Sequence, residues 1–334
     1  MANSKAAAQT YVDSRVWRNV DDVESVFEFV DELGTGSMAQ VFSAVDRKSQ
    51  APVALKVVPR SALEDAEVLD SLSVEIELLR TLSHPSIVAI QEPPVVCDAQ
   101  SVAVVLERLD GGDVQTLLQH SGALPEARAR AIFSDVMQAL AYLHEQGIVH
   151  RDVKGENVVL SQQVARGRAK LVDFGTARRL EPGATLNGLC GSPEYVAPEV
   201  AGGRPYSREC DLWSAGVLAF AMLTRSYPFG MGEPAIARSA AFTAGAVELN
   251  EHAKWAGVSE TAQDLVRRLL VADPARRLSA ADALRHPWLA PLQEAKPPAP
   301  PIAPRCASWH CDLGVASSIA DLRIALNSRF SIGC

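Results

Sequence analysis

The sequence of 334 residues is most informative at first for what it lacks. It has no apolar run that could cross a bilayer. The longest, Leu212–Leu223, includes Ser214 and Gly216 and falls well short of the roughly 20 positions needed, so it predicts a buried helix. The opening stretch, MANSKAAAQTYVDSR, has no apolar signal-peptide core, and with only Lys5 and Arg15 basic it is a poor transit peptide. Positive charge is not in excess: 32 Lys+Arg stand against 40 Asp+Glu, a formal net charge of −8, which argues against non-specific nucleic-acid binding. No D-x-[DN]-x-[DN]-G calcium loop and no internal repeat occurs. Cysteine is sparse: Cys97, Cys190, Cys210, Cys306, Cys311 and Cys334 follow no repeated spacing, and reduced thiols in the cytoplasm, with the nucleus as the alternative, are the expectation. Cys306, His310 and Cys311 offer three ligands where a structural zinc site wants four, so no zinc is assigned to them. Cys334 is the final residue and forms no prenylation box.

What is present is ordinary globular material, 48% hydrophobic and 22% charged, with length for about two domains or one bilobal unit. Residues 1–26 have weak periodicity and predict a mobile lead-in. From residue 27 to 59 the chain reads as strands. Val53, Leu55 and Val57 alternate with Ala54, Lys56 and Val58 between Pro52 and Pro59. Residues 66–82 predict a helix with Val68, Leu72, Ile76 and Leu79 on one face, stopped by His84-Pro85. Val102–Leu106 returns to strand. Beyond Gly111-Gly112 the pattern turns helical. Pro125 suits the first turn of a long helix with the stripe Ile132, Val136, Leu140 and Leu143, and Gly147 suits its C-terminal cap. Further helices are expected at 208–223, 259–270 and 279–286, the last opened by the capping pattern Ser279-x-x-Asp282. Composition breaks after Leu289: Pro291, Pro297, Pro298, Pro300, Pro301 and Pro304 mark a linker or polyproline segment, and a short helix is expected within 315–332.

Four segments carry chemistry. Gly34-Thr35-Gly36-Ser37-Met38-Ala39 lets backbone N–H groups approach phosphate oxygens, although such a turn also occurs in plain hairpins. In Val53-Ala54-Leu55-Lys56 a lysine inside an apolar strand calls for an anion, or else for a sheet edge. His150-Arg151-Asp152-Val153-Lys154-Gly155-Glu156-Asn157 is dense in acid, base and amide groups. Asp173-Phe174-Gly175 follows the strand-like Lys170-Leu171-Val172. Each alone could be a loop.

In this order the four segments resemble the signature set of the eukaryotic protein kinases. Ala197-Pro198-Glu199, Asp211-Leu212-Trp213-Ser214-Ala215-Gly216, Asp273-Pro274 through Arg277, and His286-Pro287-Trp288 extend the likeness over residues 27–289. The phrases CGSPEYVAPE and RLSAADALRHPWL are most similar to the calcium/calmodulin-dependent group. The resemblance implies an α+β, bilobal protein kinase fold: a sheet-rich N-lobe with one main helix at about 27–107, a helical C-lobe at about 113–289, and ATP between them. It leaves residues 290–334 as a Pro-rich linker and tail. It implies a Ser/Thr kinase using ATP and Mg2+, in which Lys56 holds the α- and β-phosphates and pairs with Glu75, with Glu77 as the rival. Asp152 accepts the proton of the attacking hydroxyl, Lys154 stabilises the moving phosphoryl group, and Asn157 and Asp173 hold magnesium. Leu33, Gly34, Gly36, Val41, Ala54 and Val159 line the nucleotide pocket, although packing alone would explain Val41, Ala54 and Val159. Glu107 and Leu109 offer backbone groups to the base beside the gatekeeper Leu106, and Asp113 reaches the ribose. Glu199 and Arg277 form a buried structural ion pair.

The departures from the family pattern carry their own expectations. Ala39 replaces a third glycine at modest cost. Gly155, where many kinases have proline, implies added loop flexibility. Ser192 keeps a hydroxyl for the catalytic Asp and Lys, which with Lys154 fits Ser/Thr rather than Tyr substrates. Gly188 stands where many relatives carry a phosphorylated threonine, although Arg151 is present to receive such a phosphate, so activity is expected without phosphorylation there. Asp113 and Glu156 suggest a preference for Arg upstream of the target, with simple packing beside Asn157 as the equal alternative for Glu156. Segment 319–330 has only Arg323 and Arg329 among its apolar residues, too few for a strong calmodulin target. A pseudokinase scaffold is the rival function, opposed by the intact Lys56, Glu75, Asp152, Asn157 and Asp173. A Pro-rich docking segment at 291–304 would accompany either.

Overall fold

The computed structural model describes residues 17–36, 38–162, 167–228, 255 and 257–290. The expected features at 1–16 and 291–334, among them the Pro-rich segment, the short helix and the Cys306 cluster, lie outside these residues. The chain divides into two compact units, one built from 17–83 with 89–108 and the other from 84–88 with 109–290.

The N-terminal unit is a six-stranded sheet and one long helix. Its strands are β1 (Trp17–Asn19), β2 (Phe27–Thr35), β3 (Gln40–Asp46) and β4 (Pro52–Pro59), then, after helix α1 (Ala66–Thr81), β5 (Ile90–Cys97) and β6 (Ser101–Glu107). The order is β1-β5-β6-β4-β3-β2, antiparallel throughout except that β1 runs parallel to β5. Val53 and Leu55 of β4 face a core with Val23, Val26, Phe27, Ala44, Val96, Ala103 and Val105. The period of two then puts Lys56 on the opposite face of the strand. Asp65 caps α1 by accepting the Glu67 N–H at 2.8 Å.

Two expectations change here. Residues 17–26 are not a mobile lead-in. They add β1 and a short 3-10 turn, burying Val23 and Val26 over the sheet. Their sequence has no period because one short strand and one turn are too brief to show one. Asp98, in the β5–β6 turn, fixes them by accepting the Val23 N–H at 3.0 Å, together with the Gln100 and Ser101 amides. Burial alone would raise the Asp98 pKa, and these donors outweigh it and leave it lowered. Strand β5 was not foreseen, because Pro93 and Pro94 interrupt its pattern at the irregularity between Ile90 and Val95.

The C-terminal unit is mainly helical. Helices α2 (Val114–Ser121) and α3 (Glu126–Glu145) precede two short ladders, in which β7 (Ile148–Val149) pairs with β10 (Arg178–Arg179) and β8 (Val158–Leu160) with β9 (Ala169–Leu171). Then come α4 (Pro198–Ala201), α5 (Glu209–Thr224), α6 (Glu260–Leu269) and α7 (Ala280–Arg285). The expected stripe of α3 is buried, and so is α5 from Cys210 to Leu223, which explains why its sequence is apolar on every side apart from Asp211 and Ser214. No helix among the described residues is long and apolar enough to cross a membrane.

Candidate active site

In the C-terminal unit, residues 150–157 are held from behind by one buried carboxylate. Asp211, in the first turn of α5, accepts the His150 N–H at 2.9 Å and the Arg151 N–H at 2.8 Å, and the His144 ring nitrogen lies at 2.9 Å. Burial works to raise its pKa, but the histidines and the His150 amide more than offset it, so the carboxyl lies below its ordinary value. The His150 ring meets Phe174 edge-on, with centroids 5.0 Å apart, and contacts the Val172 carbonyl at 3.2 Å. Phe174 is fully buried, whereas its neighbour Asp173 is exposed.

On this support the loop gathers its polar groups around Asp152. One oxygen of Asp152 accepts the Ser192 hydroxyl at 2.9 Å and its amide at 3.1 Å. The other accepts the Asn157 side-chain N–H at 3.0 Å and lies 2.8 Å from the Lys154 ammonium. Lys154 also donates to the Ser192 hydroxyl at 2.9 Å. The geometry thus brings together the carboxylate, lysine, amide and serine that the resemblance singled out. Gly155 is more than a point of flexibility. A Cβ there would meet the Gln115 backbone nitrogen at 3.0 Å and the Gln115 Cβ at 3.1 Å, so a larger residue would have to push α2 back by a few tenths of an ångström, and glycine allows the close approach. Its N–H donates to the Tyr195 hydroxyl at 3.4 Å, which a proline could not do. Burial pushes the Tyr195 hydroxyl pKa up.

Asn157 and Asp173 sit where β8 begins and β9 ends, and the Val172 N–H donates to the Asn157 carbonyl at 3.0 Å. Because the Asn157 amide nitrogen is given to Asp152, its side-chain oxygen is the group left for a ligand. An amide oxygen and an exposed carboxylate are hard donors, and two protein ligands completed by water and phosphate oxygens suit magnesium. Among the described residues no cluster of three or more His, Cys, Asp or Glu forms a metal cage.

In the N-terminal unit, Lys56 Nζ lies 2.6 Å from a Glu75 carboxylate oxygen, with the Glu75 side chain only 2% exposed. This is the expected partner, one turn-face of α1 turned toward β4. In the glycine turn the Gly36 N–H donates to the Ala39 carbonyl at 2.8 Å, and Leu33 is half exposed. Val41 pairs with Lys56 across the ladder, and Ala54 is buried beside Leu106 in the next register. The Glu107 N–H is already given to the Ala89 carbonyl at 2.8 Å, so that amide is not free for a base. In the C-terminal unit Asp113 bridges to Val159, and Leu109 is half-buried nearby in sequence. The Asp113 carboxylate is engaged as the cap of α2, accepting the Thr116 N–H at 2.8 Å and hydroxyl at 2.7 Å. This cap was missed, though Asp followed by Thr ahead of a helix signals it. The expected pair also forms: Arg277 grips Glu199 through two nitrogens at 2.8 and 3.0 Å, both buried.

Segment 173–199 is tied down at several points. Arg178 and Arg179 pair with β7, Leu186 and Tyr206 exchange backbone hydrogen bonds, and Ser192 reaches Asp152. Arg151 donates from Nε to the Thr176 carbonyl at 2.6 Å and from a terminal nitrogen to the Tyr206 hydroxyl at 3.2 Å. Tyr206 and Asp211 had no assigned role from sequence. A carboxylate opening an otherwise apolar helix was the signal for Asp211, since once buried it must find donors.

The chain is similar to known proteins over most of its length. The protein kinase domain family matches residues 27–289. Over 270 residues the chain is 33% identical to myosin light chain kinase A of Dictyostelium discoideum, covering 80% of this chain and 89% of that protein. Over 273 residues it is also 33% identical to human calcium/calmodulin-dependent protein kinase type 1B, covering 81% of this chain and 77% of that one.

Proposed function

The chain belongs to the protein kinase family, and from that premise we propose that it is a catalytically active Ser/Thr kinase, transferring the γ-phosphoryl group of ATP, with Mg2+, to protein hydroxyls. The observation that carries this is the set of hydrogen bonds joining Asp152, Lys154, Asn157 and Ser192. Asp152 orients the substrate hydroxyl and accepts its proton. Lys154 supplies positive charge as negative charge builds on the phosphoryl oxygens. Asn157 and Asp173 would hold the metal, which when bound neutralises phosphate charge. Lys56, kept in place by Glu75, takes the α- and β-phosphates, and the turn at Gly34 and Gly36 lets the backbone come close to phosphate oxygens, with the Gly36 N–H itself given to the Ala39 carbonyl. In the N-terminal unit Leu33, Val41 and Ala54, with the Glu107 carbonyl, are the groups assigned to the base, and in the C-terminal unit Val159 and the Leu109 backbone take the same role.

The exposed Glu156 favours substrates with Arg upstream of the target. Asp113 contributes less to that preference, and less to the ribose, while Thr116 holds its carboxylate. Calmodulin is not part of this proposal, because segment 319–330 is too weakly basic. A cytoplasmic location goes with the proposal.

The test is phosphate transfer from Mg-ATP to Ser, Thr and Tyr peptides beside Asp152→Asn. Transfer to Ser and Thr peptides that the substitution abolishes is the expected result. A folded wild-type protein that binds ATP and transfers nothing would make it a scaffold.

A further inference from the structure

Arg151 adjoins the proposed catalytic carboxylate and has left-handed backbone, φ 70°. Its amide is fixed by Asp211 and its guanidinium is half-buried. Such a cation would ordinarily face an anion. Here its hydrogen bonds run to two neutral oxygens, the Thr176 carbonyl and the Tyr206 hydroxyl, and among the described residues no carboxylate forms an ion pair with it. Tyr206 is only 3% exposed, and its backbone bonds Leu186 in both directions, at 2.8 and 3.0 Å. Burial pushes its hydroxyl pKa up, more than Arg151 lowers it, so the group is a neutral acceptor at physiological pH. Thr176 closes the circuit by donating its own hydroxyl to the His150 carbonyl at 2.9 Å. Gly188, two residues beyond Leu186, has no hydroxyl to modify and nothing near the place its Cβ would occupy.

We propose that Tyr206 is a positioning residue for phosphoryl transfer: its hydroxyl holds Arg151 where a phosphate would otherwise be needed, so that the 150–157 loop and segment 173–199 are fixed together without modification. Through Arg151 the hydroxyl sets Asp152, and through its backbone the same residue anchors Leu186. This rests on the kinase function proposed above.

The test compares full-length wild type, Tyr206→Phe, Arg151→Ala and the double variant, all phosphatase-treated, for transfer from Mg-ATP to a Ser peptide. Phe keeps the ring and removes one oxygen. Tyr206→Phe is expected to lower kcat about tenfold, equivalent to about 1.4 kcal/mol, with KM for ATP unchanged within about twofold. Added to Arg151→Ala, it should cost nothing more, since the bond it breaks is already gone. Wild-type kcat in Tyr206→Phe, or losses that multiply in the double variant, would overturn the proposal, as would loss of wild-type activity on phosphatase treatment. Hydrogen exchange gives a second readout that needs no catalysis: Tyr206→Phe should speed exchange at both 148–152 and 186–192. If wild type transfers nothing even before phosphatase treatment, the kinase function fails, and the exchange result alone decides whether Tyr206 couples the two segments. Unchanged exchange overturns that coupling.

Discussion

The glycine turn at 34–39 and the loop at 150–157 both present backbone and polar groups to a reaction, yet they are built in opposite ways. The turn is open. Leu33 and Met38 beside it are 47% and 46% exposed, and a Cβ at Gly34 would meet nothing within 4 Å. The loop is over-determined, with two amides bound to a buried carboxylate, its lysine and asparagine bound to its aspartate, and one glycine pressed against α2. On the proposed function, a turn that admits and releases a nucleotide gains from low local stability. A group that must meet a reacting proton gains from being fixed before the substrate arrives.

The contrast can be broken at the loop first. Asp152→Asn keeps the shape and removes the base, so transfer should fall about a thousandfold, and because its amide NH2 faces groups that donate to the carboxylate, unfolding free energy should fall by only about 1 kcal/mol, as steady-state assays and thermal unfolding would show. Asp211→Ala attacks the support instead. It leaves His144, the buried His150 amide and the partly buried Arg151 amide without their acceptor, and the expected loss is about 3–5 kcal/mol of unfolding free energy in urea titration. The pH sign follows from the lowered Asp211 pKa. Its contribution is complete above the ordinary carboxylate value of 3.8 and fades as pH falls through the lower folded value. Asp211→Asn should therefore flatten the acid limb of the stability curve below about pH 4. In the N-terminal unit, Lys56→Met should cut transfer about a hundredfold while leaving the Asp152 hydrogen bonds in place. The two glycines give the finest comparison. Gly155→Ala forces Cβ against Gln115 and should cost about 1 kcal/mol. Gly36→Ala, whose Cβ would sit 3.5 Å from the Ala39 oxygen, should change stability by less than about 0.5 kcal/mol and act on KM for ATP instead. Equal destabilisation at both glycines would erase the distinction between turn and loop.

Periodic segments were readable and solitary ones were not. The stripe of α3, the apolar α5 and the alternation of β4 each repeat a burial pattern often enough to name the element, and β4 places Lys56 on the face that meets Glu75. Strand β5 hid behind Pro93 and Pro94, and β1 is too short to show a period. Within the site, ordered motifs pointed to Asp152, Lys154, Asn157 and Ser192, because loop chemistry leaves a dense local signature. The cap made by Asp113 was hidden, since a cap and a ligand contact ask for the same residue type, and only the bonds to Thr116 reveal it. Tyr206 was hidden because its partner, Arg151, is remote in sequence and its bond depends on the tertiary fold.

The parallel pairing of β1 with β5 separates two boundaries that are easily treated as one. The family match begins at residue 27, whereas the apolar layer over the sheet begins earlier, at Val23 and Val26. A chain cut at the family limit would uncover Val96, Ala103 and Val105 and leave β5 as a bare edge ready to pair with a neighbouring molecule. The expected consequence is a less soluble domain when it is cut at residue 27, caused by losing residues that contribute nothing to the family signature.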